Sequence, residues 1–299
     1  MNRSVLAVMA LGVLYSTTGW ASSGTLLKPY ILGNTPAGNM AQVVAATEQA
    51  LQAHGFQVVG SYSPYPTATV ICATDHELET QAAKVRHGGF GVAERVAVTD
   101  VGGKLQVSYS NPAYVGTAYG LGMLPQTSAA LKAALGDQQA FGAKGMKPSD
   151  LKPGEYHYAF GMPYFNDVNL LKRYPSHAAA VAAINHNLAI GVDGDHKVYQ
   201  INIPGTKITV FGVAITKGPG ADAHVMKIID FKKLRSTAHL PYEMMVDGRK
   251  VIALRARYRI AVDFPDLSMF GDHGFTHIMT APYGIKKALA AAAGERHAY

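Results

Sequence analysis

The chain has few of the residues on which the commonest scaffold and catalytic chemistries depend. It holds one cysteine, Cys72, in 299 residues. That excludes an internal disulfide framework, a multi-cysteine zinc site and a cysteine-ligated iron–sulfur cluster. Only 16% of the residues are charged and one is tryptophan. The glycines at 116, 120 and 122 are not followed by Gly-Lys-Ser/Thr, so they form no phosphate loop. There is no G-x-S-x-G elbow, and no closely spaced carboxylate pair of the kind glycosidases use.

Hydrophobic residues, by contrast, make up 48%, enough for a substantial core and too many for wholesale disorder. There are 27 Lys and Arg against 20 Asp and Glu, a net charge of +7. The first residues read as an address: Met1-Asn2-Arg3 is positive, Ser4 to Tyr15 is mostly apolar, and Gly19-Trp20-Ala21 offers small residues at a cleavage site. The apolar run is too short to span a bilayer, so residues 1–21 are expected to be a secretory leader. The expected home is the periplasm or the exterior, with no transmembrane segment in the mature chain.

The rest reads as two units of one order, 26–136 and 155–293, joined by a linker at 137–154. Each is expected to run β-α-β-β-(α)-β-β-α. In the first, Thr35-Pro36 suggests a helix start, Gly55 a stop and Asp75 the cap of a short helix. In the second, Ser176 caps an Ala-rich helix, Asp247-Gly248 turns a hairpin, and a last helix runs from about Pro282 to Ala293. Val251 to Ile260 is read as the second strand of that hairpin. Pro66 matches Pro204 and Val70 matches Ile208. Short turns between strands imply antiparallel pairing, and helices on one face make an α+β layer.

The stretch from Ala50 to Asn111 contains Leu51-Gln52-Ala53-His54-Gly55-Phe56, Val70-Ile71-Cys72, Arg95-Val96-Ala97-Val98 and Ser110-Asn111-Pro112. In these it resembles the bacterial "domain of unknown function 302" family. The resemblance implies a fold similar to the TATA-binding-protein repeat, a curved antiparallel sheet with helices on its convex side, written here twice. The chain departs from the family where Cys72-Ala73-Thr74 replaces Cys-Asn-Pro. The family brings no settled activity with it.

Three groups of residues are candidates for function. Arg255, Arg257 and Arg259 alternate with Ala256, Tyr258 and Ile260, and on a strand would form one basic face for a carboxylate, phosphate or acidic polymer. Tyr62, Tyr65 and Tyr114 combine an apolar body with a polar tip, which suits a ligand groove. Asp272, His273 and His277 have the spacing of a metal site if a third donor such as His239 or Glu243 joins them. Cys72 is expected to be structural. The sequence leaves any cofactor unidentified. The expected partner is a small anionic ligand held in a cleft between the units, or an envelope component. Export argues against nucleic acid. A binding role is favoured over catalysis; the alternatives are a metal-dependent enzyme or metal-binding protein, and an envelope-associated structural or interaction module.

Overall fold

The computed structural model of the protein describes residues 25–295. The expected leader, residues 1–21, lies outside the described residues. The first half runs β1 (Tyr30–Leu32), α1 (Met40–Ala53), β2 (Gln57–Tyr65), β3 (Ala68–Thr74), α2 (His76–Ala82), β4 (Glu94–Val101), β5 (Lys104–Ser110), α3 (Pro112–Tyr119) and α4 (Pro125–Leu135). After it come β6 (Gln139–Phe141) and the single turn α5 (Pro148–Leu151). The second half runs β7 (Asn169–Arg173), α6 (His177–Ala189), β8 (His196–Asn202), β9 (Ile208–Ala214), α7 (Asp222–Ile229), β10 (Tyr242–Asp247), β11 (Lys250–Ala253), α8 (Ala256–Asp263) and α9 (Ala281–Ala292). The fold is α+β, with two antiparallel sheets, as expected. Among the described residues no helix is long and apolar enough to cross a membrane.

The sheet orders are β2-β3-β4-β5-β1-β6 and β7-β11-β10-β9-β8. Read from β2 and from β8, the first five strands follow the same path. Both hairpins carry a register shift at the same place, between Val58 and Gly60 and between Lys197 and Tyr199. Superposing these bulges sets Cys72 against Gly212 and Val70 against Val210, two residues from the Ile208 expected from sequence. It also sets Arg95 against Glu243, because Cys72 pairs with Arg95 and Gly212 with Glu243.

Strand alternation decides where the core lies. In β3 and β4, Ile71, Ala73, Val96 and Val98 point to the side where α1 and α4 supply Val43, Leu51, Leu131 and Leu135. Val70, Cys72 and Ala97 point the opposite way, into a larger core shared with Val210, Phe211, Met244 and Tyr258 of the second half. The first sheet is thus buried on both faces, which is why β3 reads as a nearly continuous apolar run rather than a clean alternation. Burial pushes the Cys72 thiol well up, so it stays protonated and inert, as a structural cysteine should.

Several local signals operate as the sequence implies. Asp75 accepts from the Leu78 N–H and Ser176 from the Ala179 N–H, each fixing a helix start. Others differ. The first helix is capped by Asn39, whose side chain and that of Gln42 form a reciprocal capping box, and not by Thr35. Despite Gly116, the Tyr114–Tyr119 stretch is part of helix α3, capped by Asn111 with Pro112 in its first turn. The segment expected as a linker carries β6, which pairs with β1 and extends the first sheet. Beyond Ala253 the expected strand does not continue. Residues 256–263 are helix α8, in which Arg259 pairs with Asp263 one turn on.

Candidate functional site

Packing fills much of the seam between the halves, where the cleft was expected, and leaves an opening beside Tyr65 that both halves line. Tyr62 donates to Asp222 at 2.9 Å, and the Tyr65 and Thr237 hydroxyls meet at 3.0 Å. Tyr114 is buried on α3 and donates to the Val262 carbonyl of α8 at 2.8 Å. Tyr258, third in α8 as Tyr114 is third in α3, donates back to the Ala118 carbonyl of α3 at 3.1 Å. These tyrosines are therefore seam residues. Their hydroxyls are committed to bonds across the two halves, and Tyr65 also borders an open cavity.

At the centre of the seam is a buried ion network. Arg95 donates to Glu243 at 2.7 Å, and Arg259 reaches the same carboxylate at 3.5 Å and also pairs with Asp263. His239 Nδ1 lies 2.6 Å from Asp263, and its Nε2 lies 2.9 Å from the Tyr242 hydroxyl. Burial, with Arg259 and Arg95 nearby, drives the His239 pKa well down, so the imidazole is neutral. His239, Asp263 and Tyr242 are all buried, so the pair and the hydroxyl beside it face no open cavity. The pair lies within the second half, and the network crosses to the first half through Arg95 and Glu243. What remains open at the seam is a cavity of about 410 Å³ beside Tyr65, Asp100, Lys227, Asp230 and Arg235.

The three candidate arginines separate accordingly. Arg259 is 1% exposed and belongs to the ion network. Arg255 and Arg257 are exposed and line a larger cavity, of about 800 Å³, on the second half. They share it with Lys286 of α9 and with a strap over residues 157–167. The strap is held by local bonds. Asp167 accepts from the Tyr164 N–H at 2.9 Å, His157 contacts the Ala159 carbonyl at 2.7 Å, and Arg255 Nε donates to the Asp167 carbonyl at 3.0 Å.

Two helices begin at this cavity. The residues flanking their first turns, Arg255 for α8 and Thr280 for α9, make no side-chain cap bond. The corresponding helix of the first half, α3, is capped by Asn111. Arg255 and Arg257 stand at the positive end of α8, where cations oppose the helix dipole. A negative group in the cavity would relieve that opposition and take up unpaired backbone N–H groups. Asp167 is the one acidic side chain in the lining. The Phe160 ring in the strap is fully exposed.

The metal expectation finds no assembly. Among the described residues no group of three His, Cys, Asp or Glu is placed to hold a metal ion. Asp272 and His273 border a small pocket of about 200 Å³, whereas His277 sits in a short turn at 275–278 outside that lining. The His273 ring stacks on Phe231 at 3.8 Å and its Nδ1 contacts the Ile228 carbonyl at 2.8 Å. His239 and Glu243, the residues considered as a third donor, are taken by the seam network. The physical reason is that Gly271 and Gly274 make this stretch a loop, so three-residue spacing sets no common face.

Sequence reasoning missed Lys286, Phe160, Met279 and Tyr283 as cavity residues. Met279, Tyr283 and Lys286 share helical spacing, but nothing in the sequence joins them to Phe160, more than a hundred residues earlier. A signal was present in α8 itself, an arginine at both the cap and the second position of a helix start. It is legible only once 256–263 is read as a helix. Comparison with protein-family models, with curated proteins and with solved structures gave no match.

Proposed function

We propose that this protein is an exported binding protein that holds a small anionic ligand in the cavity framed by residues 157–169, the start of α8 and the start of α9. One observation carries the reading: Arg255, Arg257 and Lys286 line a single open cavity of about 800 Å³ at two helix starts that lack side-chain caps. The ligand site is therefore assigned to the second half and not to a cleft between halves. Export rests on the leader-like sequence at 1–21. The shared strand path and the reciprocal Tyr114 and Tyr258 bonds favour descent of both halves from one ancestral unit, in keeping with the resemblance to the family named above.

The test is isothermal titration of the full chain with inorganic phosphate at low ionic strength. The reading expects saturable binding with one site, weakening as salt is raised. Charge reversal at the exposed positions, Arg257→Glu with Lys286→Glu, should abolish it while leaving the melting transition in place. Absence of saturable binding, or binding untouched by the double variant, overturns the assignment.

A further inference from the structure

The cationic cavity does not end at its basic residues. It adjoins a second cavity of about 500 Å³, and the two share Phe160, Met162, Arg257 and Met279 in their walls. The second chamber is otherwise different in character. Ile260, Ala261, Phe264, Leu267 and Phe275 form much of it, and Arg257 is its one charged residue. Helix α8 links the two. Arg257, Ile260, Ala261 and the following Phe264 are spaced i, i+3, i+4 and i+7, so they lie along one helix face. That face begins with a cation at the open end and continues with apolar groups along the chamber.

Resting on the anion site assigned above, we propose that the ligand is a single-tailed amphiphile, its anionic head at Arg257 and Lys286 and its alkyl or acyl chain in the apolar chamber. Three features support a flexible chain over a compact anion. Three methionines, Met162, Met269 and Met279, line the chamber, and their unbranched side chains adapt to an occupant without a fixed shape. Phe160, Met269 and Met279 are exposed although apolar, as expected for groups awaiting an apolar partner. The distance from Arg257 to Phe264 along the helix is about 10 Å, the reach of an extended chain of roughly eight carbons. A carboxylate or a phosphate monoester meets the same head-group chemistry, and it can be a free molecule or part of a lipid.

The experiment is titration of the full-length protein with n-alkyl phosphates from methyl to decyl, each kept below its micelle-forming concentration. The expected result is a tightening of about fourfold per added methylene, levelling off near eight carbons. Ala159 lines the chamber from its exposed side, so Ala159→Trp should fill the space without disturbing the core. That variant should lose the chain-length dependence and keep its affinity for methyl phosphate. An affinity independent of chain length, with phosphate still bound, overturns the amphiphile and leaves the anion site standing. Failure of every phosphate to bind removes both. Binding to phosphatidylglycerol vesicles without binding of monomeric octyl phosphate also overturns the proposal, since the chamber would then serve a membrane surface.

Discussion

Arg95 and Glu243 occupy corresponding positions in the two sheets, and their side chains are 1% and 3% exposed. Burial works against the charge of Arg95, and Glu243, with smaller help from Tyr119, Tyr199 and Glu94, outweighs it. Such a pair is weak evidence of net stability, yet breaking it on one side is costly. Glu243→Gln leaves Arg95 and Arg259 facing one another with Asp263 as the remaining carboxylate partner. It should lower the unfolding free energy by about 3–5 kcal/mol in urea titration. The double replacement Arg95→Met with Glu243→Met should recover much of that loss, because Arg259 keeps Asp263. A double variant as unstable as the single one would show that the pair itself stabilises the seam.

A second residue-scale effect concerns pH. Burial pushes the Asp222 carboxyl up to about 8, even though the Tyr62 hydroxyl and the Ile215 N–H donate to it. Between its ordinary value near 3.8 and about 8 the folded protein keeps a proton that the unfolded chain has lost. This contribution is full at low pH and falls away as pH rises through that window, by up to about 1.4 kcal/mol per pH unit. Asp230 and Glu94, held up to about 6 and about 7 mainly by burial, act in the same direction. His239, whose pKa is lowered, acts oppositely below its ordinary value of 6.5. Asp222→Asn cannot titrate, so its stability relative to the parent should climb from pH 5 to pH 8. Parallel pH profiles would refute the protonated carboxyl.

At the scale of elements, the meeting of β2 with β8 is the tightest constraint. Gly60 stands at the bulge of β2, and a Cβ there would lie well inside contact distance of the Val198 carbonyl on β8. The obstacle is backbone, so no side-chain rotation relieves it. Gly60→Ala should destabilise the fold by about 3 kcal/mol, at the upper end of ordinary overpacking. Gly55→Ala is a useful contrast at the end of α1, where the φ of 88° strains an added side chain but nothing lies within 4 Å. That variant should cost about 1–2 kcal/mol, from strain alone. If the two variants melt alike, the sheet edges have room to part.

For the molecule as a whole, the halves exchange support. The turn at 88–91 of the first half packs on β9 and β10, and the turn at 237–239 of the second packs on β3, β4 and β5. The larger core contains residues of both halves, including Tyr114 and Tyr119 from one and Phe211 and Tyr258 from the other. Neither half can bury its inner sheet face alone. Residues 25–151 expressed by themselves should therefore lack a cooperative thermal transition by circular dichroism. Co-expression with residues 152–295 should restore one transition in a co-purifying pair. A fragment that melts cooperatively on its own would show that each half carries a sufficient core.

The sequence by itself determined what local physics controls. The caps at Asp75 and Ser176, the Asp247-Gly248 hairpin, the last helix and the α+β order all follow from spacing and turn chemistry within a few residues. The sequence also singled out Arg255 and Arg257, though on the wrong kind of element, because five residues of alternating arginine fit a strand as well as a helix. Tertiary structure alone decided the rest. Arg259 and Tyr114 face inward because the other half covers them. Lys286 and Phe160 share a cavity because two distant segments are folded against the start of α8. Glu243 meets Arg95 because two sheets of the same strand order abut. Contacts of that separation leave no periodic trace in the chain, since they depend on which faces the two halves bury against each other.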